Sequence, residues 1–323
     1  MDYLMKNNKN VTLPQWLDKV IFDEFEAIYE PRPSEVVYNP DKSHEFVKIY
    51  LGTYFPRSYS EAYCIVSKMF CNSLYKSRLE CLDEIHILDF CCGTGGELVG
   101  LIDILQSQLP KLKRITIDAF DANPDAITFL YHLMEYINNS EEITIRIAIN
   151  PQCLFVSSEQ ELQDLVHSTN FQYQFILSFK ALNEFIQHKT FGENNVYSLI
   201  SSYLMPLLSS DGIFILSDVT TKNDDSGYYY PILLNRGINT FIRNNTEYKS
   251  IYPFPCFHYE NKCNGCYMQD VFGISHRKKT NDISRVAYRI LAQKQFAEAI
   301  STYISSKKCR AINMNVDKNE PYK

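Results

Sequence analysis

Apolar residues early in the chain recur at three- and four-residue intervals, in Gln15-Trp16-Leu17-Asp18-Lys19-Val20-Ile21-Phe22 and again from Tyr59 to Leu79, which predicts helices. Ser60 stands where it would cap the second of these. From Ile85 the pattern changes to short β-rich runs alternating with longer amphipathic stretches, the signature of βαβ units and a parallel sheet. Strands are predicted at 86–91, 115–120, 143–149, 174–178, 212–218, 248–253 and 269–275, and helices at 96–108, 124–138, 162–168, 196–208 and 232–243. The stretch 282–304 is amphipathic and predicts a closing helix, and the polar tail beyond it predicts little order. The reading is an α/β fold: a doubly wound, mostly parallel seven-stranded sheet, its last strand antiparallel, preceded by a helical N-terminal region 1–84. The sheet domain spans 85–305 with a Cys/His-containing insertion near 253–277, and 306–323 form the tail.

Composition narrows the class without choosing a function. A chain of 323 residues, 45% hydrophobic and 22% charged, suits a folded globular protein. The formal charge of −6 excludes a surface that tracks phosphates everywhere, although a local basic patch remains open. No apolar run reaches the roughly 18–20 residues of a spanning helix, and the start is polar, so no membrane partner and a cytoplasmic location are expected. In that setting the ten cysteines read as reduced thiols or metal ligands before disulfides. Oligomeric state is not legible.

The strongest local signal is Ile87-Leu88-Asp89-Phe90-Cys91-Cys92-Gly93-Thr94-Gly95-Gly96-Glu97-Leu98, an apolar strand ending in an acid, then glycines, then a helix. Gly93 and Gly95 hold positions where the backbone turns sharply and where a ligand must approach the main chain. The spacing does not match the G-x-G-x-x-G of dinucleotide binders, which disfavours a pyrophosphate and a nicotinamide oxidoreductase. A tight strand-to-helix turn is the plain alternative. One βα unit later, Ile115 to Pro124 carries Asp121 at its tip, where doubly wound sheets grip ribose hydroxyls; capping of the following helix is its rival role, one that Asn123 fills better. Asp118 is the rival acid but falls inside the strand.

These segments resemble the first motifs of the class I S-adenosylmethionine (SAM)-dependent methyltransferases. The resemblance implies that Asp89 orients the amino group of the methionine moiety and that Gly93 and Gly95 lie against the cofactor; Cys91 and Cys92 stand where that family often has a small residue or another glycine. It also implies that Asn150, after the third strand, meets the adenine amino group, whereas an ordinary Asn-Pro turn is the plainer account.

The fourth strand leads into Ser178-Phe179-Lys180-Ala181-Leu182-Asn183-Glu184-Phe185, and ligands in open α/β sheets sit at the carboxyl ends of strands. Ser178 to Glu184 should therefore border the reactive methyl, with Glu184 as a base and Lys180 or Asn183 orienting the acceptor. The bland reading is a helical turn at Asn183-Glu184 and a solvated Lys180. The Asn/Asp-Pro-Pro-aromatic motif of base-amino methyltransferases is absent. After the fifth strand, Tyr228-Tyr229-Tyr230 can stack on a base or equally serve as packing.

A second constellation is Cys256, His258, Cys263 and Cys266, with His276 as a further candidate, a soft ligand set suited to zinc or an iron–sulfur cluster. Unlinked thiols in a hairpin connection are the alternative. Together with Tyr54 to Tyr63, Leu177 to Phe185 and Ile274-Ser275-His276-Arg277, this order is similar to the ribosomal small-subunit assembly methyltransferase-like family, which carries cysteine-ligated metal beside a SAM fold. That resemblance implies ribosomal RNA or a ribosome-bound state, and it allows SAM binding without transfer. Basic residues at Arg277-Lys278-Lys279 and at Lys307, Lys308 and Arg310 can contact phosphate or simply be solvated. The leading expectation is a SAM-dependent methyltransferase with RNA slightly ahead of a small molecule or protein as acceptor. The rival is a non-catalytic SAM- and metal-binding assembly factor.

Overall fold

The computed structural model describes residues 10–31, 43–169, 171–192, 194–252 and 269–301. The chain divides into two compact units, Met1–Phe155 with Val271–Ser284, and Val156–Asp270 with Arg285–Lys323.

The first unit opens with β1 (Asn10–Thr12), α1 (Gln15–Lys19), a π-helical turn at Val20–Glu24, and the helices α2 (Ser43–Thr53), α3 (Phe55–Phe70) and α4 (Ser73–Leu79). Three βα steps follow: β2 (Glu84–Phe90), α5 (Gly96–Gln108), β3 (Arg114–Asp121), α6 (Pro124–Asn139) and β4 (Arg146–Cys153). β2 pairs β3 and β3 pairs β4, both in parallel, so the ends of β2 and β3 lie side by side with Asp89 opposite Ala119. Ile87 and Leu88, successive residues of β2 that face opposite sides of the sheet, are both shut off from water, as expected of a strand covered on both faces. α6 begins as its sequence demands: Pro124 needs no donor at the first helical position, and the Asn123 side chain accepts from the amides of Asp125 and Ala126.

α3 packs on α5 main chain to main chain. A Cβ at Gly96 or Gly100 would collide with the carbonyls of Phe55 or Tyr59, so only glycine admits this approach. The Tyr59 hydroxyl donates to Asp103 one turn further along α5.

In the second unit come α7 (Glu159–Ser168), β5 (Tyr173–Phe179), α8 (Leu182–Gln187), α9 (Val196–Leu204), β6 (Leu208–Val219), α10 (Tyr230–Asn244) and β7 (Tyr248–Tyr252). The chain ends with β8 (Gln269–His276), β9 (Lys279–Gln293) and α11 (Lys294–Ser301). β5 and β6 are parallel, with Phe179 opposite Ser217, whereas β9 runs antiparallel to both β6 and β7. In the first unit β8 lies parallel to β1.

The α/β class, the mostly parallel strand pairing and the N-terminal helices stand as expected, but the described residues hold nine strands rather than seven. β1 is three residues long, too short to show a period. The segment expected as a helix over 282–304 is instead β9 followed by the short α11. Its alternation is hidden because Asp282 and Ser284 are polar yet buried, and 286–292 are buried without interruption, a run that periodicity alone cannot assign. β9 also takes the antiparallel place expected of 269–275. Ser60 lies inside α3, its hydroxyl donating to the Arg57 carbonyl, rather than capping a helix. Asn150-Pro151 is not a turn: both residues lie within β4, which ends the β2–β3–β4 ladder, where a proline's missing donor is tolerated.

Gly100→Ala tests the α3–α5 contact. The added methyl would gain about 1 kcal/mol of helix propensity and cost about 1–3 kcal/mol of overpacking, so we expect a denaturant midpoint lowered by a net loss of up to about 2 kcal/mol; a raised midpoint would refute the close approach.

Candidate functional site

The loop after β2 is held by its own backbone. Cys92 N–H donates to the Phe120 carbonyl (3.0 Å) and Gly95 N–H to the Cys92 carbonyl (2.8 Å). Cys91, Gly93 and Gly95 all adopt positive φ, at 64°, 49° and 78°. Gly95 caps α5, and a Cβ there would strike the Leu130 side chain; a Cβ at Gly93 would meet nothing within 4 Å. Gly93 therefore has no packing duty, and its Cβ-less face is open for a ligand to approach. Cys91 holds a left-handed conformation that costs a side-chain-bearing residue roughly 1–2 kcal/mol.

Three carboxyl groups surround this loop. Asp89, at the end of β2, is fully buried, and neither of its oxygens accepts a hydrogen bond from any described residue. Burial pushes its carboxyl well above the usual carboxylate range, and the neighbouring Glu97 and Asp121 push it further. Asp121 ends β3 and accepts from the Gly93 amide (2.7 Å) and the Asn123 amide (2.9 Å), tying the glycine loop to the next strand. Burial raises its carboxyl too, against the opposing pull of these amides. A buried anion without a partner is costly. Two further acids beside it make the loop hostile to a phosphate and receptive to an ammonium or sulfonium group.

The other expected residues are more scattered. Asn150 lies within β4, three residues before its end, and its amide donates to Asp118 (2.9 Å), the acid inside β3. Ser178 is buried in β5, and its hydroxyl has no partner among the described residues. Beyond the strand, Lys180 takes a positive φ of 56° while its amide donates to the Ser217 carbonyl (2.8 Å). Asn183 and Glu184 lie in the first turn of α8, Asn183 half-buried and Glu184 exposed.

Sequence reasoning missed the group that organises this second segment. Asp218, near the end of β6, is fully buried and accepts from the Tyr197 hydroxyl (2.7 Å) and the Val219 amide (2.7 Å). In the orientation that satisfies both neighbours, the Asn183 amide nitrogen donates to Asp218 (2.7 Å) and to the Lys180 carbonyl (3.1 Å). Burial lifts Asp218 to about 7, against the lowering effect of Tyr197, Val219 and Asn183. A signal was present: Asp218 closes an apolar strand as Asp89 and Asp121 close theirs.

Cys256, His258, Cys263 and Cys266 lie outside the described residues, and among those described no group of three or more His, Cys, Asp or Glu side chains is placed to hold a metal. His276 is in the core of the first unit instead, stacked on Phe22 (5.5 Å), edge-on to Tyr29 (5.1 Å) and 4.0 Å from Asp282. Arg277 is paired with Asp18 (2.6 Å) and Asp23, which removes it from the basic patch. No described helix is long and apolar enough to cross a membrane.

No family model matches the sequence, and no curated protein matches it. Solved structures that are similar in chain trace include precorrin-6y C5,15-methyltransferase from Geobacter metallireducens GS-15, at 13% identity and a TM-score of 0.37 over 69% of this chain and 87% of that one. Mitomycin 7-O-methyltransferase MmcR is another, at 10% identity and 0.42 over 79% and 58%. Magnesium protoporphyrin IX methyltransferase from Synechocystis PCC 6803 with bound SAM is a third, at 10% identity and 0.38 over 80% and 100%.

Two measurements follow from the geometry. Asp218 has an ordinary value of 3.8 and is lifted to about 7 on folding, so between these pH values the folded chain keeps a proton that the unfolded chain releases. Its contribution to stability is full below about pH 4 and lost as pH rises through 7, by at most about 4 kcal/mol at 1.36 kcal/mol per unit. The stability difference between wild type and Asp218→Asn, followed by urea melts from pH 4 to 8, should change in that sense; a constant difference would remove the assignment. Cys91→Gly relieves the left-handed strain and should leave stability unchanged or raise it by up to about 1 kcal/mol, because unfolded glycine recovers part of the gain; a loss above about 1 kcal/mol would show that the side chain packs.

Proposed function

We propose that the chain is a SAM-dependent methyltransferase. The observation that carries this reading is Asp89: a carboxyl group fully buried beside a glycine loop, with no hydrogen-bond donor among the described residues and two more acids nearby. An α-amino group would supply the missing donor and the compensating charge. Asp121 accepts two amide bonds and has lone pairs left for ribose hydroxyls, while the open Cβ side of Gly93 lets a ligand lie on the backbone. The residues present therefore suit a methionine-derived nucleoside better than a pyrophosphate-bearing one. When bound, SAM supplies a methyl group made electrophilic by its sulfonium.

The chain's own part would be positioning, the main demand of an in-line displacement. Lys180 or Asn183 would orient the acceptor, and Glu184, exposed on α8, would take its proton. Asn150 remains a candidate for the adenine amino group, and Ser178 for the cofactor near its reactive methyl. RNA is slightly favoured as acceptor over a small molecule or a protein.

Calorimetric titration with SAM and with its demethylated product should show binding to the wild type. Asp89→Asn and Asp121→Ala should each weaken it by about 10- to 150-fold, the worth of one charge-assisted hydrogen bond, while far-ultraviolet circular dichroism stays unchanged. Tight NADH binding with no heat from SAM would overturn the proposal. Incubation with methyl-labelled SAM and total RNA, protein extract or metabolites then separates an enzyme from a binding-only factor: incorporation that Asp89→Ala abolishes excludes the latter.

A further inference from the structure

The segment between β6 and α10 is a folded feature rather than a loose connection. Asn223 N–H donates to the Tyr228 carbonyl (2.8 Å), Gly227 N–H to the Asn223 carbonyl (3.0 Å) and Tyr230 N–H to the Thr221 carbonyl (3.0 Å). Asn223 is buried, its side chain accepting from the Ser226 amide (2.8 Å) and donating to the Tyr230 hydroxyl (3.2 Å). Of the three successive tyrosines, Tyr230 is buried at the start of α10 and Tyr229 precedes it, but Tyr228 is 44% exposed. One face of the Tyr228 ring is covered by the Arg236 guanidinium, 4.3 Å from the ring centre. The hydrogen-bonded turn thus holds a large aromatic ring partly exposed at the surface with a cation against one face.

The neighbouring helix supplies the complementary charge. α10 contains no acidic residue; its two charged side chains are Arg236 and Arg243. They stand seven residues apart on the face that includes 233, 236, 240 and 243, about 10 Å from each other along the axis at 1.5 Å per residue. Lys222 is exposed at the start of the turn. Of the turn's two carboxylates, Asp225 is paired with Lys189 (3.0 Å) and Asp224 is exposed. A chain of net charge −6 thus carries a local cationic strip beside a partly exposed aromatic ring.

We infer that Tyr228, backed by Arg236 and extended by Arg243, is a stacking platform for a base of single-stranded RNA, with the two guanidiniums meeting its phosphates. Aromatic stacking combined with a cationic track is the recognition chemistry of single strands, whose bases are free to splay out. A duplex keeps its π-faces inside the stack and cannot use the ring. The assignment deepens the methyl-transfer reading by narrowing its RNA acceptor to single strands, and for that catalytic use it rests on that reading.

The test is fluorescence anisotropy of the full chain with a fluorescein-labelled single-stranded RNA 12-mer of mixed sequence, and with the same strand annealed to its complement. Wild type should prefer the single strand. Tyr228→Leu should weaken binding by about 5- to 150-fold, one lost base stack, whereas Tyr228→Phe and Tyr228→Trp should bind as wild type. Arg236→Gln and Arg243→Gln should each flatten the slope of log affinity against log salt by about 0.7, one single-strand phosphate contact. Absence of binding, equal binding of the duplex, or a Tyr228→Leu protein that binds as wild type would each overturn the inference. SAM titration of Tyr228→Leu keeps the two readings apart. RNA binding that depends on Tyr228 in a protein with no affinity for SAM would sink the methyltransferase proposal and leave this site standing.

Discussion

A carboxylate removed from water must find a proton, a donor or a cation; Asp89 at the tip of β2 has no hydrogen-bond donor among its described neighbours, so burial favours its protonated form. Much of the first unit makes sense as the framework that keeps it there. β3 lies alongside β2, so Asp121 can reach back to Gly93, and the glycine loop is pinned between the two strand ends. The left-handed residues Cys91, Gly93 and Gly95 turn the chain within five positions, and the loop contains no lysine or arginine to neutralise the acid. The local cost is a carboxyl group whose charged form is disfavoured, a form of strain that folded proteins concentrate at sites where a ligand relieves it.

The second unit solves the same problem differently. Asp218 is equally buried but is surrounded by donors from three segments: Tyr197 of α9, the Val219 amide and Asn183 of α8. A satisfied carboxylate of this kind orders its surroundings. It ties α8 and α9 to the end of β6, beside the left-handed Lys180 between β5 and α8.

Where hydrophobic period and turn chemistry agreed, the sequence was transparent. α5 runs over the residues that the glycines and the apolar repeat delimit, and α6 starts at the proline with the asparagine cap before it. Legibility failed where polar side chains face inward. Asp282 is buried because it receives a bidentate pair of bonds from Arg57 (2.8 and 3.0 Å), and Ser284 because it donates to Glu61 (2.5 Å), so β9 showed no clean alternation. His276 was ambiguous for a related reason: an imidazole between two aromatic rings and an imidazole on a metal look alike until the partners are seen. Asp218 was overlooked because its partners, Tyr197 and Asn183, are distant in sequence from it and from each other.

The crossing of α3 and α5 at Gly96 and Gly100 has a thermodynamic corollary. Backbone resting on backbone leaves no layer of rotatable side chains to absorb motion, so the first turn of α5 cannot retreat from an incoming molecule. Most of the disorder that a flexible loop would surrender on association has already been removed during folding. Recognition at the glycine loop should therefore carry only a small conformational-entropy penalty, and its heat should report direct contacts and displaced water rather than the ordering of the chain.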